Sequence, residues 1–225
     1  VANFTDNTVT VIDGANNSTS TVATGTGPIA VSVNPITNKV YIANSGSSNV
    51  TVIDGSNNST VTVLGNGAPT SIAVNPVTNK IYVANGQTHD VTVINGVNNS
   101  TTTTVTAGVN PKFVSVNPAT NKIYVTTNVN VNGNSLTVID GATNTPTFAA
   151  AGTAPTAIAV NPVTNKIFVV DSTDVKVING ADNSLATVTV GSSPRSVAIN
   201  PVSNKVYVTN QGSGNVTVID GSNLS

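Results

Sequence analysis

The pair Asn-Pro recurs five times along the chain, at Asn34, Asn75, Asn117, Asn161 and Asn200, with spacings of 41, 42, 44 and 39 residues. Each pair opens the pattern N-P-x-[TS]-N-K, which places lysines at Lys39, Lys80, Lys122, Lys166 and Lys205. A second marker, V-I-[DN]-G, recurs six times in the same period, with its acid or amide at Asp13, Asp54, Asn95, Asp140, Asn179 and Asp220. A period near 41 residues, broken by no linker or shift in composition, specifies one supersecondary unit repeated along the chain. Such a unit is too small to bury its own apolar faces and must stack on its neighbours. Residues 1–225 are therefore expected to form a single repeat domain.

One period shows what the unit is. Residues 71–74, 80–84, 90–94 and 101–106 are short β-branched runs, closed by Asn75-Pro76, Asn85-Gly86, Asn95-Gly96 and Gly108. Four strands, a to d, joined by tight polar turns predict an antiparallel meander. Strands a to c carry apolar or small residues on both faces, as a sheet sandwiched between two others requires. Strand d alternates Thr with Val, which suits a solvated rim. No 3.6-residue periodicity appears anywhere.

Composition closes off several classes of function. Only 8% of the residues are charged and there is no Cys, Met, Trp or Glu. Disulfide scaffolds, thiol chemistry and cysteine-bearing zinc sites are excluded. Eight scattered basic residues offer no patch to neutralise a run of phosphates, so nucleic acid is not an expected partner. No apolar run reaches the length that spans a bilayer as a helix. A chain without methionine has no initiator, and this one is expected to be a processed or excised segment of a longer polypeptide.

The segments Tyr41-Ile42-Ala43-Asn44, Tyr82-Val83-Ala84-Asn85 and Tyr207-Val208-Thr209-Asn210, with the N-P-x-T-N-K and V-I-D-G elements, resemble the signature of the YVTN β-propeller repeat. The resemblance runs through every repeat. It implies an all-β propeller of four-stranded antiparallel blades, of a kind found in archaeal surface-layer proteins and bacterial exported proteins. It also implies an extracellular or cell-surface location, and it fixes no single chemistry.

The two ends set the expected blade number. Residues 1–18 and 208–225 occupy the same phase of the repeat, so a five-blade ring would make them compete for one place. Six blades use both, the first lacking strand a and the last lacking strand d. The alternative is an open arc cut from a larger ring.

In such a blade the a–b and c–d turns share one face. The lysine opening strand b is then expected to meet the acid ending strand c, giving structural pairs Lys39 with Asp54, Lys122 with Asp140, and Lys205 with Asp220. Lys80 and Lys166 would face Asn95 and Asn179. Glycine in the V-I-[DN]-G turn is expected to supply a positive φ.

Function, where local, should lie where repeats depart from their own pattern, and most departures fall on the face formed by the b–c and d–a loops. His89 and Asp90 belong to one such loop, and His89 is the only histidine. Asp171 and Asp174 are the only close pair of acids, two carboxylates toward a Ca²⁺ site that needs six or more oxygens. The position after the proline that opens strand a is Ile29, Thr70, Lys112, Thr156 and Arg195 in turn, so Lys112 and Arg195 are candidates for an anion clamp. The loop 128–134, with Asn130 and Asn132, reads as an extended hairpin.

No nucleophile–histidine–acid set is supported, and propeller chemistries built on metals, quinones or haem need a cluster of acids or imidazoles, or aromatic and axial residues, whereas this chain has no Glu, a single His and acids mostly at the repeated strand-c ends. It is expected not to be an enzyme and to carry no cofactor or metal. The rim runs 18–24, 59–64, 100–106 and 185–190 contain no charge, whereas exposed edges are ordinarily protected by it. The first expectation is a structural propeller that associates with its own copies, or with other surface proteins, into a layer, sheath or filament. The second is a recognition module that binds a glycan, peptide or protein through the b–c/d–a loop face. Ten N-x-[ST] sequons accompany an Asn- and Thr-rich turn composition that produces such tripeptides by chance.

Overall fold

A computed structural model describes residues 1–128, 133 and 135–225. Every regular element among them is a strand, as the β-branched composition requires. The strands form six antiparallel sheets in the order of the repeats. The first holds β1 (Ala2–Asn3), β2 (Thr8–Ile12) and β3 (Thr19–Ala23). The second holds β4 (Pro28–Asn34), β5 (Lys39–Asn44), β6 (Asn49–Asp54) and β7 (Thr60–Leu64), and the third β8 (Pro69–Asn75), β9 (Lys80–Asn85), β10 (Asp90–Asn95) and β11 (Ser100–Thr106). The fourth is β12 (Phe113–Asn117), β13 (Lys122–Thr126), β14 (Leu136–Asp140) and β15 (Pro146–Ala149). The fifth is β16 (Ala157–Asn161), β17 (Lys166–Val170), β18 (Asp174–Asn179) and β19 (Leu185–Thr189), and the last is β20 (Pro194–Asn200), β21 (Lys205–Asn210) and β22 (Asn215–Asp220). Each is a meander in chain order; the first lacks strand a and the last lacks strand d. These are the blades of a β-propeller.

The sheets divide between two compact units, residues 1–106 and 107–225. In the first unit, Tyr41, Ala43, Val50 and Val52 of the second sheet pack on Ile72, Ile81, Val83 and Ile94 of the third. Its opposite face sets Ile42 and Ile53 against Val9 and Val22 of the first sheet. In the second unit, Tyr124, Leu136 and Val138 meet Ile167, Val169 and Ile178. Phe168, Val175 and Val177 in turn meet Val206, Val208 and Ile219. Both faces of the inner sheets are thus apolar because both are covered.

The aromatic position of strand b carries much of this burial. Tyr41, Tyr82, Tyr124 and Phe168 are fully buried. Each ring takes roughly 150–250 Å² out of water, worth on the order of 5 kcal/mol at about 25 cal/mol per Å² before entropy is counted. Burial pushes the Tyr124 phenol up to about 12. Phe168 fills the same place without a hydroxyl, so packing rather than hydrogen bonding selects the ring.

Polar cross-links join the turn ends of neighbouring sheets. The Asn34 carboxamide oxygen accepts from the N–H of Ile36 (3.0 Å) and Thr37 (3.3 Å), which folds the a–b turn around a buried side chain. Its amide nitrogen then donates to Asn79 Oδ1 of the next sheet (2.9 Å). Asn117 donates likewise to Asn165 (2.8 Å), and Asn161 to Asn204 (2.9 Å). Lysine follows the same route. Lys39 Nζ donates to Gly96 O (3.2 Å), Lys122 to Gly180 O (2.8 Å) and Lys166 to Gly221 O (2.6 Å), each in the following sheet.

This corrects two of the three expected turn pairs, Lys39 with Asp54 and Lys122 with Asp140. Lys39 does sit opposite Asp54 in the strand register, and Lys122 opposite Asp140. Their ammonium groups nevertheless donate across to the next sheet, leaving only a weak Coulombic pull on these acids. The acids are held by their own turns. The Ser56 hydroxyl and N–H keep Asp54 below the usual carboxylate range, and the Thr143 and Ala142 N–H groups do so for Asp140. Lys205, in the last sheet, bonds Asp220 at 2.8 Å, and this ammonium is the largest cause of a strongly depressed Asp220 carboxyl.

The turn glycine also has a different role from the one expected. Positive φ falls on the asparagine before the lysine: 52–53° at Asn38, Asn79, Asn121, Asn165 and Asn204. The V-I-[DN]-G glycines do not have it. Instead Gly55, Gly96, Gly180 and Gly221 donate their N–H to the carbonyl of that asparagine at 2.8 Å. The approach is so close that a Cβ on any of them would strike the asparagine side chain. Gly96→Ala is therefore expected to cost about 1–3 kcal/mol and lower the melting temperature. Gly14→Ala, where open space surrounds the new Cβ, is expected to leave the melting temperature nearly unchanged in the same calorimetric scan.

Candidate functional site

At the other end of the sheets, the b–c loops carry a repeated tie of their own. Asn44, Asn85 and Asn210, which close strand b, donate Nδ2 to the first and third residues of strand c. The acceptors are Asn49 and Thr51, Asp90 and Thr92, and Asn215 and Thr217, at 2.7–2.9 Å. Asp90 is thereby explained, since one oxygen takes Asn85 and the other takes Asn66 Nδ2 at 2.6 Å. His89 beside it is a left-handed turn residue (φ 60°) whose N–H donates to Asn85 O. Both residues serve the turn.

Asp171 occupies the place of that asparagine in the fifth sheet, three residues after Phe168. A carboxylate has no N–H to give to strand c. Its oxygens accept instead from the backbone N–H of Thr153 (3.0 Å) and Ala154 (2.6 Å), in the loop that precedes β16. Asp174 pairs with Lys176 at 2.8 Å. The two acids are therefore spent on separate partners, and among the described residues no group of three or more metal-ligating side chains forms.

Lys112 and Arg195 hold the variable position after the strand-a proline. Lys112 donates its backbone N–H to Thr126 O at 2.8 Å. Arg195 sits at a β-bulge: Pro194 pairs with Asn210 and Ser196 with Thr209, so Arg195 itself has no opposite number. Bulges re-aim a side chain. Here Arg195 Nε donates to Gln211 Oε1 at 2.7 Å. Backbone bonds from Gln211 N to Ser193 O and from Gly212 N to Ser192 O, both 2.9 Å, clasp the d–a loop to the b–c loop and fix the pair. The result is a cleft of about 240 Å³ lined by Thr156, Ser172, Ser193, Pro194, Arg195 and Gln211. Lys112 is not among them.

Gln211, Ser172 and Ser193 are absent from the sequence-derived candidates. Glutamine is used only twice in the chain, at Gln87 and Gln211, and that rarity was the available signal. Asn130 and Asn132 lie outside the described residues.

Two further clefts lie at the c–d turn end. One, of about 480 Å³, is lined by residues including Lys122, Asp140 and Thr143, and the other, of about 270 Å³, by residues including Lys166, Asn179 and Leu224. They occupy equivalent places beside successive sheets, and their lysines are already committed to glycine carbonyls. They belong to the repeat.

No protein-family model matches the chain, and no curated protein matches it either. Solved structures do. Hydrazine synthase from Kuenenia stuttgartiensis superposes with a TM-score of 0.84 at 18% identity, covering 98% of this chain and 72% of the other. A functionally unknown protein from Desulfotomaculum acetoxidans DSM 771 gives 0.81 at 12% identity, covering 97% and 77%. A Nidogen/Laminin complex gives 0.70 at 14%, covering 97% and 88%. At these identities the likeness shows the β-propeller fold alone.

If Asp171 caps backbone rather than binding metal, Asp171→Ala should lower stability by about 1–3 kcal/mol through its two orphaned N–H groups. Millimolar Ca²⁺ should leave the wild-type melting temperature where it was.

Proposed function

We propose that this chain is a non-enzymatic propeller of the YVTN-repeat type, displayed at a cell surface, which associates with its own copies into a layer, sheath or filament. The observation that carries this reading is the state of the outer strands. β3, β7, β11, β15 and β19 stand at the outer edge of their sheets and contain no charged residue. Edge strands of soluble proteins are ordinarily blunted by lysine, proline or a bulge. Only β11 carries a bulge, where its pairing with β10 shifts, and only β15 a proline, at Pro146. Apolar side chains are exposed along these edges as well, Leu64 at 80% and Phe148 at 46% among them.

The fate of the ionisable groups supports the non-enzymatic part of the reading. Three of the repeated lysines hold glycine carbonyls, and five acids (Asp54, Asp90, Asp140, Asp171 and Asp220) hold turns or loops. Asp13 and Asp182 hold turns in the same way, and Asp174 pairs with Lys176, so most of the acids are engaged in structure.

Purified chain is expected to assemble in a concentration-dependent way, followed by light scattering and electron microscopy. The variant Val61→Lys/Leu64→Lys/Leu185→Lys, which places charge on exposed rim positions, is expected to remain monomeric with an unchanged circular dichroism spectrum. A wild-type chain that stays monomeric at high concentration contradicts the reading.

A further inference from the structure

The Arg195 cleft goes beyond the rim-based reading and does not depend on it. We propose that it is a binding site for a hydroxylated carboxylate about the size of a hexuronic acid, free or at the end of a glycan. Arg195 is the only arginine of the chain. It is placed at a bulge, and its Nε is already satisfied by Gln211. What remains is the pair of terminal nitrogens, the end of the fork that takes both oxygens of one carboxylate.

Among the described residues, no acid competes for that fork. No carboxylate lines the cleft among the described residues. The acids of the adjoining loop are engaged, Asp171 by two backbone N–H groups and Asp174 by Lys176. Arg195 therefore presents a charge that the described residues leave uncompensated, in a chain where only 8% of residues are charged.

The rest of the lining selects what is attached to the carboxylate. Ser172 and Ser193 contribute hydroxyls, Thr156 adds a hydroxyl oxygen that can accept while its proton goes to the Val170 and Pro194 carbonyls, and Pro194 is the one apolar residue. Because an arginine Nε–H can only donate, the Gln211 oxygen must face it, and the Gln211 amide N–H₂ is left as a donor. Hydroxyls and an amide around a single cationic fork suit a polyhydroxylated acid. No aromatic side chain lines the cleft to stack on a flat or apolar ligand. A volume of about 240 Å³ admits one sugar ring.

The test is titration of the intact chain with glucuronate, glucose and acetate, by calorimetry and by amide chemical shifts. Glucuronate is expected to bind saturably and to shift the amides of Ser193, Arg195, Ser196, Gln211 and Gly212, with glucose and acetate at least tenfold weaker. Arg195→Gln should abolish binding and Arg195→Lys should weaken it at least tenfold, while Leu64→Gln, at an exposed position of β7 that does not line the cleft, should leave it unchanged. A uronic-acid oligomer that binds more tightly than the monomer would assign the site to a glycan end, and equal affinity would assign it to the free acid. The proposal is overturned if glucuronate shows no saturable binding, if Arg195→Gln binds it as well as wild type, or if acetate binds equally well. Assembly of the rim variant is read separately, so either reading can fall alone.

Discussion

One donor–acceptor contact organises this fold: a lysine ammonium that leaves its own sheet and ends on a glycine carbonyl of the next. It is made by Lys39, Lys122 and Lys166 on Gly96, Gly180 and Gly221. Beside each runs an asparagine–asparagine bond between the same two sheets. Apolar packing supplies most of the free energy between sheets, but it is non-directional and would tolerate sliding. The charged hydrogen bond and the amide bond fix the register in which the faces meet. That is why the asparagine of Asn-Pro, the left-handed asparagine, the lysine and the close-packed glycine occur together in every full repeat. Each is one piece of a single joint.

The joint also decides where the lysine charge goes. Asp54 and Asp140 cap their own turns without an ammonium at hydrogen-bond distance, and Asp220 caps its turn through one oxygen while the other takes Lys205. In the last sheet, Lys205 falls back on Asp220. There the face that packing covers in earlier repeats is open, and Tyr207 is 40% exposed where Tyr41, Tyr82 and Tyr124 are sealed. The same residues thus make different contacts in the last sheet than in the earlier ones.

Much of this architecture was legible in the sequence, because its signals are local. Asn-Pro, Asn-Gly and Asp-Gly punctuate strands, and β-branched runs fill the space between them. The sheet count, the four-strand meander and the two three-stranded sheets all follow from that spacing. The lysine target was not legible. Strand register names the neighbour within a sheet, here Asp54 or Asp140, whereas the true partner depends on how adjacent sheets face one another. The role of the turn glycine was missed for a different reason: its contact with the asparagine lies within one sheet, but a close approach between turns leaves no mark on either residue alone. Arg195 was visible as a departure from the repeat. Gln211 was not, because a bulge and two loop–loop backbone bonds bring it to the arginine. Asp171 stood in a tetrad with Phe in place of Tyr, which hid its equivalence to Asn44 and Asn85.

The central claim is that the repeated lysine is a bond between sheets rather than half of an ion pair within one. Thermal and denaturant unfolding of Lys122→Met and Lys205→Met tests it directly, since methionine keeps the apolar stem and removes only the ammonium. Lys122→Met is predicted to lose about 1.5–3 kcal/mol, the worth of a charged hydrogen bond to Gly180. Lys205→Met, which breaks a surface pair, is predicted to lose about 0–1 kcal/mol. Equal losses in the two variants, or a larger loss at Lys205, would contradict the account.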